Sequence, residues 1–178
     1  MKVVILCGGK GTRMRDMTEF IPKPLVQIGG KPILWHIMKI YSHYGHKDFI
    51  LCLGYKGEMI KEYFMSSRWL NNDFTLNTKN SSVNIHGSDE DEWNITFVDT
   101  GQETHTGGRI KAVEKYIQED FFLCTYGDGL APVNVTELVE YHKSHGKLAT
   151  LTAVHPHSKY GVLDVGEDNS IFSFIEKP

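Results

Sequence analysis

Long apolar runs are missing from this chain. The longest, such as Val3–Cys7 and Phe49–Leu53, are about five residues. A spanning helix needs roughly 20, so neither a transmembrane segment nor a membrane partner is expected. Positive charge is not in excess either. Nineteen Lys and Arg against 22 Asp and Glu leave a net charge of −3, which provides no basic field for nucleic acid. Cysteine is scarce. Cys7, Cys52 and Cys124 are too few and too far apart for a disulfide framework or a zinc knuckle. Each lies in an apolar run, where Cys behaves as a small core residue, and a reducing cytoplasm suits all three. The first residues carry one Lys and run directly into Gly8, which does not read as a secretory signal. What is present is ordinary for a globular chain: 178 residues, 40% hydrophobic and 23% charged. One domain with a real hydrophobic core is the expectation.

Strand and helix patterns alternate along the chain. Val3–Cys7 is apolar, β-branched and stops at Gly8-Gly9, the pattern of a buried parallel strand. Pro32–His43 has apolar residues at helical spacing, with Pro32 suited to its start and Gly45 to its end. Asp48–Leu53 is a second buried strand, and Gly57–Phe64 a short helix. Residues 66–93 are polar and rich in Asn and Ser. Within them Phe74/Leu76 and Val83/Ile85 alternate with polar residues, as in an exposed hairpin, and Asp89–Glu92 reads as a solvated turn. An excursion this long usually has a job of its own. The rhythm then resumes with strands at Asn94–Val98, Phe121–Tyr126 and Leu148–Val154, and helices at Thr106–Tyr116 and Val135–His145. Gly161–Val165 and Ile171–Ile175 read as a closing hairpin. Repeated strand–helix units predict an α/β fold: a Rossmann-like, mostly parallel sheet with helices on both faces.

The first strand opens into Gly8-Gly9-Lys10-Gly11-Thr12-Arg13. Glycines there let backbone amides approach a phosphate, and successive N–H groups form an anion nest. The dinucleotide fingerprint would start at Gly9 but meets Met14 at its last position, and the P-loop pattern fails at Val4 and Gly11. What remains is G-G-x-G-T-R, followed ten residues after Arg13 by Lys23 in Pro22-Lys23-Pro24. Arg13 is a permanent fork for phosphate oxygens. The flanking prolines predict an extended segment at Lys23. Two cations and an amide nest suit phosphoryl transfer, which depends on positioning and charge stabilisation. The alternative is a tight turn with surface cations. Gly127-Asp128-Gly129 ends another strand, and ligands of open α/β sheets bind at the carboxyl ends of strands. His155-Pro156-His157 and the pair His142 and His145 lack further ligands for a metal and read as ordinary histidines.

The glycine loop with its downstream Pro-Lys-Pro resembles the sugar-1-phosphate nucleotidyltransferases. The likeness extends over Ile28–Tyr41, Gly54–Gly57, Lys61–Phe64, Val98–Gly101, Thr106–Arg109 and Thr125–Gly129. Thr106-Gly107-Gly108-Arg109 together with Trp35-His36-Ile37-Met38 points to the cytidylyl branch. The resemblance implies the nucleotide-diphospho-sugar transferase fold as a single domain over residues 1–178, with a hairpin excursion at 66–93. It also implies a further C-terminal segment beyond Pro178, carrying more sheet, sugar-pocket residues and a second metal-binding aspartate.

By the same resemblance, Leu6, Gly8, Gly9, Lys10, Gly11, Thr12 and Arg13 cradle the triphosphate, with Arg13 toward the departing pyrophosphate and Lys23 at the α-phosphate. Thr104, Gly107, Gly108 and Arg109 meet the nucleotide. Asp128 holds Mg²⁺, and Arg13, Lys23 and Asp128 are the catalytic set. Gly127, Glu176 and Lys177 belong to the sugar-phosphate site. The implied substrates are CTP and glucose 1-phosphate, in a cytoplasmic homo-oligomer. A nucleotide-holding or subunit-interaction module without turnover, or another nucleoside triphosphate as substrate, are the alternatives. A dinucleotide-dependent oxidoreductase is weakened by the missing third glycine and by Lys31 and Pro32 where an acidic ribose ligand belongs.

Overall fold

The computed structural model describes residues 1–9, 20–86, 91–154 and 162–175. They contain strands β1 (Val3–Leu6), β2 (Gln27–Ile28) and β3 (Lys31–Pro32), then helix α1 (Ile33–His43), β4 (Asp48–Leu53) and helix α2 (Gly57–Leu70). The hairpin β5 (Asp73–Asn77) and β6 (Ser82–His86) follows, then β7 (Asn94–Asp99), α3 (Thr106–Val113), β8 (Leu123–Tyr126), α4 (Val135–His145), β9 (Val162–Val165) and β10 (Ile171–Ile175). The chain divides into two compact units, Met1–Thr136 and Glu137–Pro178.

The first unit is built on a four-stranded sheet in the order β7-β4-β1-β8, parallel throughout. Val3–Ile5 and Phe49–Leu53 are buried with no polar alternation, because both faces of β1 and β4 are covered. On one face Val4, Ile50, Cys52 and Val98 pack with Val113 of α3. On the other, Phe97 lies level with Leu51 and meets Phe64 of α2. Phe49 meets Trp93 there, whose indole donates to Ser42 of α1. The fold is thus the expected Rossmann-like α/β sheet with flanking helices.

The connection pattern creates the site. From β1 the chain moves outward through β4 to β7, then returns to β8 on the other side of β1. Strand order therefore reverses beside β1, and a crevice opens there at the carboxyl ends of the strands.

Several segments depart from expectation. Helix α2 runs on past Phe64 to Leu70. Ser66 and Ser67 do not stop it because their hydroxyls donate to Glu62 O and Phe64 O within the helix. The excursion accordingly begins after residue 70. Residues 87–90 lie outside the described set, but Asp91 is no solvated turn residue: it accepts from the Trp35 indole at 3.1 Å and from Lys39 at 2.7 Å. The prolines beside Lys23 give a tight 3₁₀ turn over Lys23–Leu25, not an extended segment, closed by Leu25 N–H donating to Pro22 O at 2.8 Å. The expected helix to Tyr116 is α-helical only to Val113 and finishes as a 3₁₀ turn. Cys124, expected in the core, is exposed on β8, the outermost strand of the sheet among the described residues.

Helix α4 has its expected bounds, and in the second unit β9 pairs antiparallel with β10. Leu148–Val154 forms no strand, and Leu148, Leu151 and Val154 are exposed. Its apolar spacing marks what the segment could bury and supplies no ladder partner. His142 and His145 both bond the Thr150 hydroxyl, and no metal-holding group of His, Cys, Asp or Glu occurs among the described residues. His155 and His157 lie outside them.

Candidate active site

A cleft of about 410 Å³ lies at the strand reversal, within the size range of small-molecule sites. Its floor is the end of β1, with Leu6, Cys7, Gly8 and Gly9. Lys23 and Pro24 form one wall with Tyr126 and Asp128 from the end of β8. The opposite wall is Gln102–Thr106, which leads into α3. The N-terminal turn of α3 adds unsatisfied backbone N–H groups.

Lys23 and Asp128 meet along one wall of the cleft. Lys23 Nζ donates to Asp128 Oδ2 at 3.4 Å, with side chains 21% and 42% exposed. A pair so long and so wet contributes about 0–1 kcal/mol to folding, so both groups can exchange partners when an anion or cation arrives. Gly127 sits behind Asp128. Its N–H donates to Leu6 O at 3.0 Å, and a Cβ there would stand 2.9 Å from Cys7 Sγ. Glycine therefore lets β8 turn against β1 at this point.

Arg109 makes four hydrogen bonds beside the cleft. It is only 6% exposed. Nη1 donates to Leu53 O at 2.9 Å and Thr100 Oγ1 at 2.7 Å. Nη2 donates to Gly8 O at 3.1 Å and Gln102 O at 3.2 Å. These four bonds use all four Nη–H donors of the buried guanidinium, and they tie α3 to the ends of β1 and β4 and to the segment after β7. The Arg109 side chain reaches the cleft wall, so a contact with nucleotide requires it to exchange one of these partners.

Cys7 lines the floor but supplies no nucleophile. Burial pushes its thiol well above the ordinary value, with Cys52 and Asp128 adding in the same direction. Cys52, also buried, is pushed up to about 11. Both remain neutral thiols near pH 7 and act as small packing groups.

The structure thus brings together Leu6, Gly8, Gly9, Lys23, Thr104, Arg109 and Asp128 around one cleft. Gly107 and Gly108 stand in the first turn of α3, where a Cβ on Gly108 would press on Thr104 Cγ2 at 2.8 Å. Lys10, Gly11, Thr12, Arg13, Glu176 and Lys177 lie outside the described residues. Thr100, Gln102 and Tyr126 carry no sequence signal that marks them as site residues, yet Gln102 and Tyr126 line the cleft and Thr100 bonds Arg109. The Val98–Gly101 block includes Thr100 only as a family likeness, and its buried hydroxyl bond to Leu53 O follows from the pairing of β4 and β7.

The Nucleotidyl transferase family model matches residues 2–178. The chain belongs to the nucleotidyl transferase family. Among its relatives, a probable glucose-1-phosphate cytidylyltransferase of Bacillus subtilis is 54% identical over 177 residues, covering 99% of this chain and 69% of the relative. The glucose-1-phosphate cytidylyltransferase of Salmonella typhi is 50% identical over 179 residues, covering 100% and 69%. In structure, HddC from Yersinia pseudotuberculosis complexed with GMP-PN superimposes with a TM-score of 0.63 at 29% identity, over 99% of this chain and 69% of that one. In this nucleotidyltransferase no described helix is long and apolar enough to cross a membrane.

Proposed function

We propose that the protein transfers the cytidylyl group of CTP to α-D-glucose 1-phosphate, giving CDP-glucose and pyrophosphate. The observation that carries this is identity of 54% and 50%, along essentially the whole chain, to proteins of that name. The cleft at the strand reversal is a fitting place for it.

A phosphate oxygen of the sugar phosphate is the nucleophile. It forms a bond to the α-phosphorus as the bond from that phosphorus to the bridging oxygen breaks, and pyrophosphate leaves with the electron pair. The attacking oxygen is already anionic, so no protein base is required. The protein supplies charge and position. Gly8 and Gly9 supply the start of the amide cradle, continued by Lys10, Gly11 and Thr12, with Arg13 toward the departing pyrophosphate. Lys23 leaves Asp128 for the α-phosphate. Thr104, Gly107, Gly108 and Arg109 border the nucleotide, and Gly127, Glu176 and Lys177 serve the sugar phosphate.

The cleft fits Mg²⁺. Its half-exposed Asp128 carboxylate lies beside the anion cradle, and Mg²⁺ commonly takes one or two carboxylates plus substrate phosphates. Bound there, Mg²⁺ would neutralise the triphosphate and the departing pyrophosphate.

The protein works as a homo-oligomer in the cytoplasm. The hairpin supports the first point. Phe74 pairs with Ile85 and Leu76 with Val83 on one face, and Phe74, Leu76 and Val83 are exposed. A two-stranded hairpin is marginal by itself, and a second copy offers the same apolar face.

The test is pyrophosphate release with Mg²⁺ and glucose 1-phosphate, comparing CTP, UTP, dTTP, ATP and GTP. Release fastest with CTP is expected. A different preferred triphosphate would move the assignment to another specificity, and tight triphosphate binding without release would make the protein a nucleotide-holding module.

A further inference from the structure

We propose that Thr100 is a positioning residue for the triphosphate, seating Arg109 so that the first amide of the glycine loop faces the cleft; this rests on the nucleotidyl-transfer reading above. Thr100 is 7% exposed. Its hydroxyl donates to Leu53 O at 2.7 Å and accepts from Arg109 Nη1 at 2.7 Å. One hydroxyl therefore fixes the guanidinium against the end of β4, and both of its hydrogen-bonding roles are used.

The space for that guanidinium is made by two glycines. A Cβ on Gly8 would lie 2.0 Å from Arg109 Nη1, and a Cβ on Gly54 would lie 2.7 Å from the same atom and 2.9 Å from Gly8 O. The socket consists of Gly8, Gly54, Thr100 and the Leu53 carbonyl. It admits a flat group at one height only, which suits a planar guanidinium and not an ammonium.

The consequence reaches the ligand through one peptide plane. Gly8 O accepts from Arg109 Nη2 at 3.1 Å and from Tyr55 N–H at 3.4 Å. Both donors pull that carbonyl into the protein. No described peptide bond is cis, and in a trans peptide the C=O and the following N–H point in opposite directions. Holding Gly8 O inward turns the Gly9 N–H outward to the cleft, where an anion can accept from it. Thr100 touches no substrate; it acts through Arg109 and Gly8.

The experiment compares Thr100→Val, which keeps the shape and removes the hydroxyl, with Thr100→Ser, which keeps the hydroxyl. KM for CTP, KM for glucose 1-phosphate and kcat are measured, together with the Kd for CTP in the presence of Mg²⁺. Thr100→Val is expected to raise the CTP KM and Kd about tenfold, the scale of one lost hydrogen-bonded contact. KM for the sugar phosphate should stay within about twofold, and Thr100→Ser should restore CTP binding to within about threefold. Thr100→Val at wild-type CTP affinity, equal losses for both substrates, or a serine variant as poor as the valine one would overturn the proposal. If Thr100→Val does not fold, Gly54→Ala decides in its place: it crowds the same guanidinium and should weaken CTP selectively, and wild-type affinity there overturns the proposal. A wild-type protein that binds another triphosphate better is compared with that one, because the socket serves phosphate and not base. A wild type that binds no triphosphate at all overturns this proposal and the nucleotidyl-transfer reading together.

Discussion

The carboxyl ends of β1 and β4 and the β5–β6 hairpin are opposite solutions to the same problem of free backbone and apolar surface. At the strand ends, buried polar atoms find partners inside the chain. Leu53 O and Gly8 O converge on Arg109, and Thr100 closes the set. No buried side-chain nitrogen or oxygen among the described residues lacks a partner. In the hairpin the backbone is paired, but the apolar face of Phe74, Leu76 and Val83 remains exposed. The first region is finished within this chain. The second leaves its apolar face open to solvent. Rigid, satisfied strand ends are what a site needs to hold phosphates to within a fraction of an ångström. An exposed amphipathic face is what association needs.

The largest expected effect falls on the cleft. Asp128→Asn should lower Mg²⁺-dependent turnover by at least about 10²-fold, the scale of losing one charge-stabilising group, while circular dichroism and melting stay near wild type because the carboxylate is half-exposed. Unchanged turnover would reject its metal role. Lys23→Met should cost about as much in kcat; a loss confined to KM would make it a binding contact only.

A phenylalanine in each region sharpens the contrast. Phe49 is 1% exposed and Phe74 45%. Phe49→Ala should cost about 3–5 kcal/mol in denaturant unfolding. Phe74→Ala should change folding by no more than about 0.5 kcal/mol and instead lower the sedimentation coefficient at fixed concentration. Equal folding losses at the two sites would erase the distinction between a closed core and a docking face.

Cysteine labelling draws the same line more gently. Iodoacetamide should modify Cys124, exposed on β8, although slowly because partial burial raises its thiol above the ordinary value, and leave Cys7 and Cys52 untouched until unfolding. Mass spectrometry would show one adduct. Early modification of Cys7 would mean that the floor of the cleft opens.

The smallest effect concerns pH. Burial, with the N-terminal ammonium adding to it, holds the His46 imidazole below its ordinary value of 6.5. Its folded pKa lies under its unfolded one, so the unfolded state binds more protons in that window. Stability therefore falls as pH drops through about 6.5. His46→Gln should flatten this part of the melting-temperature profile; an unaltered slope would assign it to other groups.

What could be read from the sequence follows the same division. Buried parallel strands carry their own signature, and Asp48–Leu53 has the bounds its apolar run implied. The helix Val135–His145 does as well. Local patterns also single out Lys23 and Asp128, and the two side chains meet where the strand order reverses beside β1. Long-range satisfaction was not legible. Asp91 looks like one acid in an acidic run, yet it anchors Trp35 and Lys39 of α1. Thr100 looks like any threonine before a glycine until β4 and β7 are paired. Leu148–Val154 has a strand's composition and no ladder, because composition cannot state whether a neighbour is present.

The most direct test of the account follows the label in CTP during the reaction with glucose 1-phosphate and Mg²⁺. With [α-³²P]CTP, the account predicts radioactivity in CDP-glucose; with [γ-³²P]CTP, it predicts radioactivity in pyrophosphate; Asp128→Asn should give neither. Label released as free CMP or inorganic phosphate, or sugar-nucleotide formation undiminished in Asp128→Asn, would contradict a nucleotidyl transfer carried out at the strand reversal.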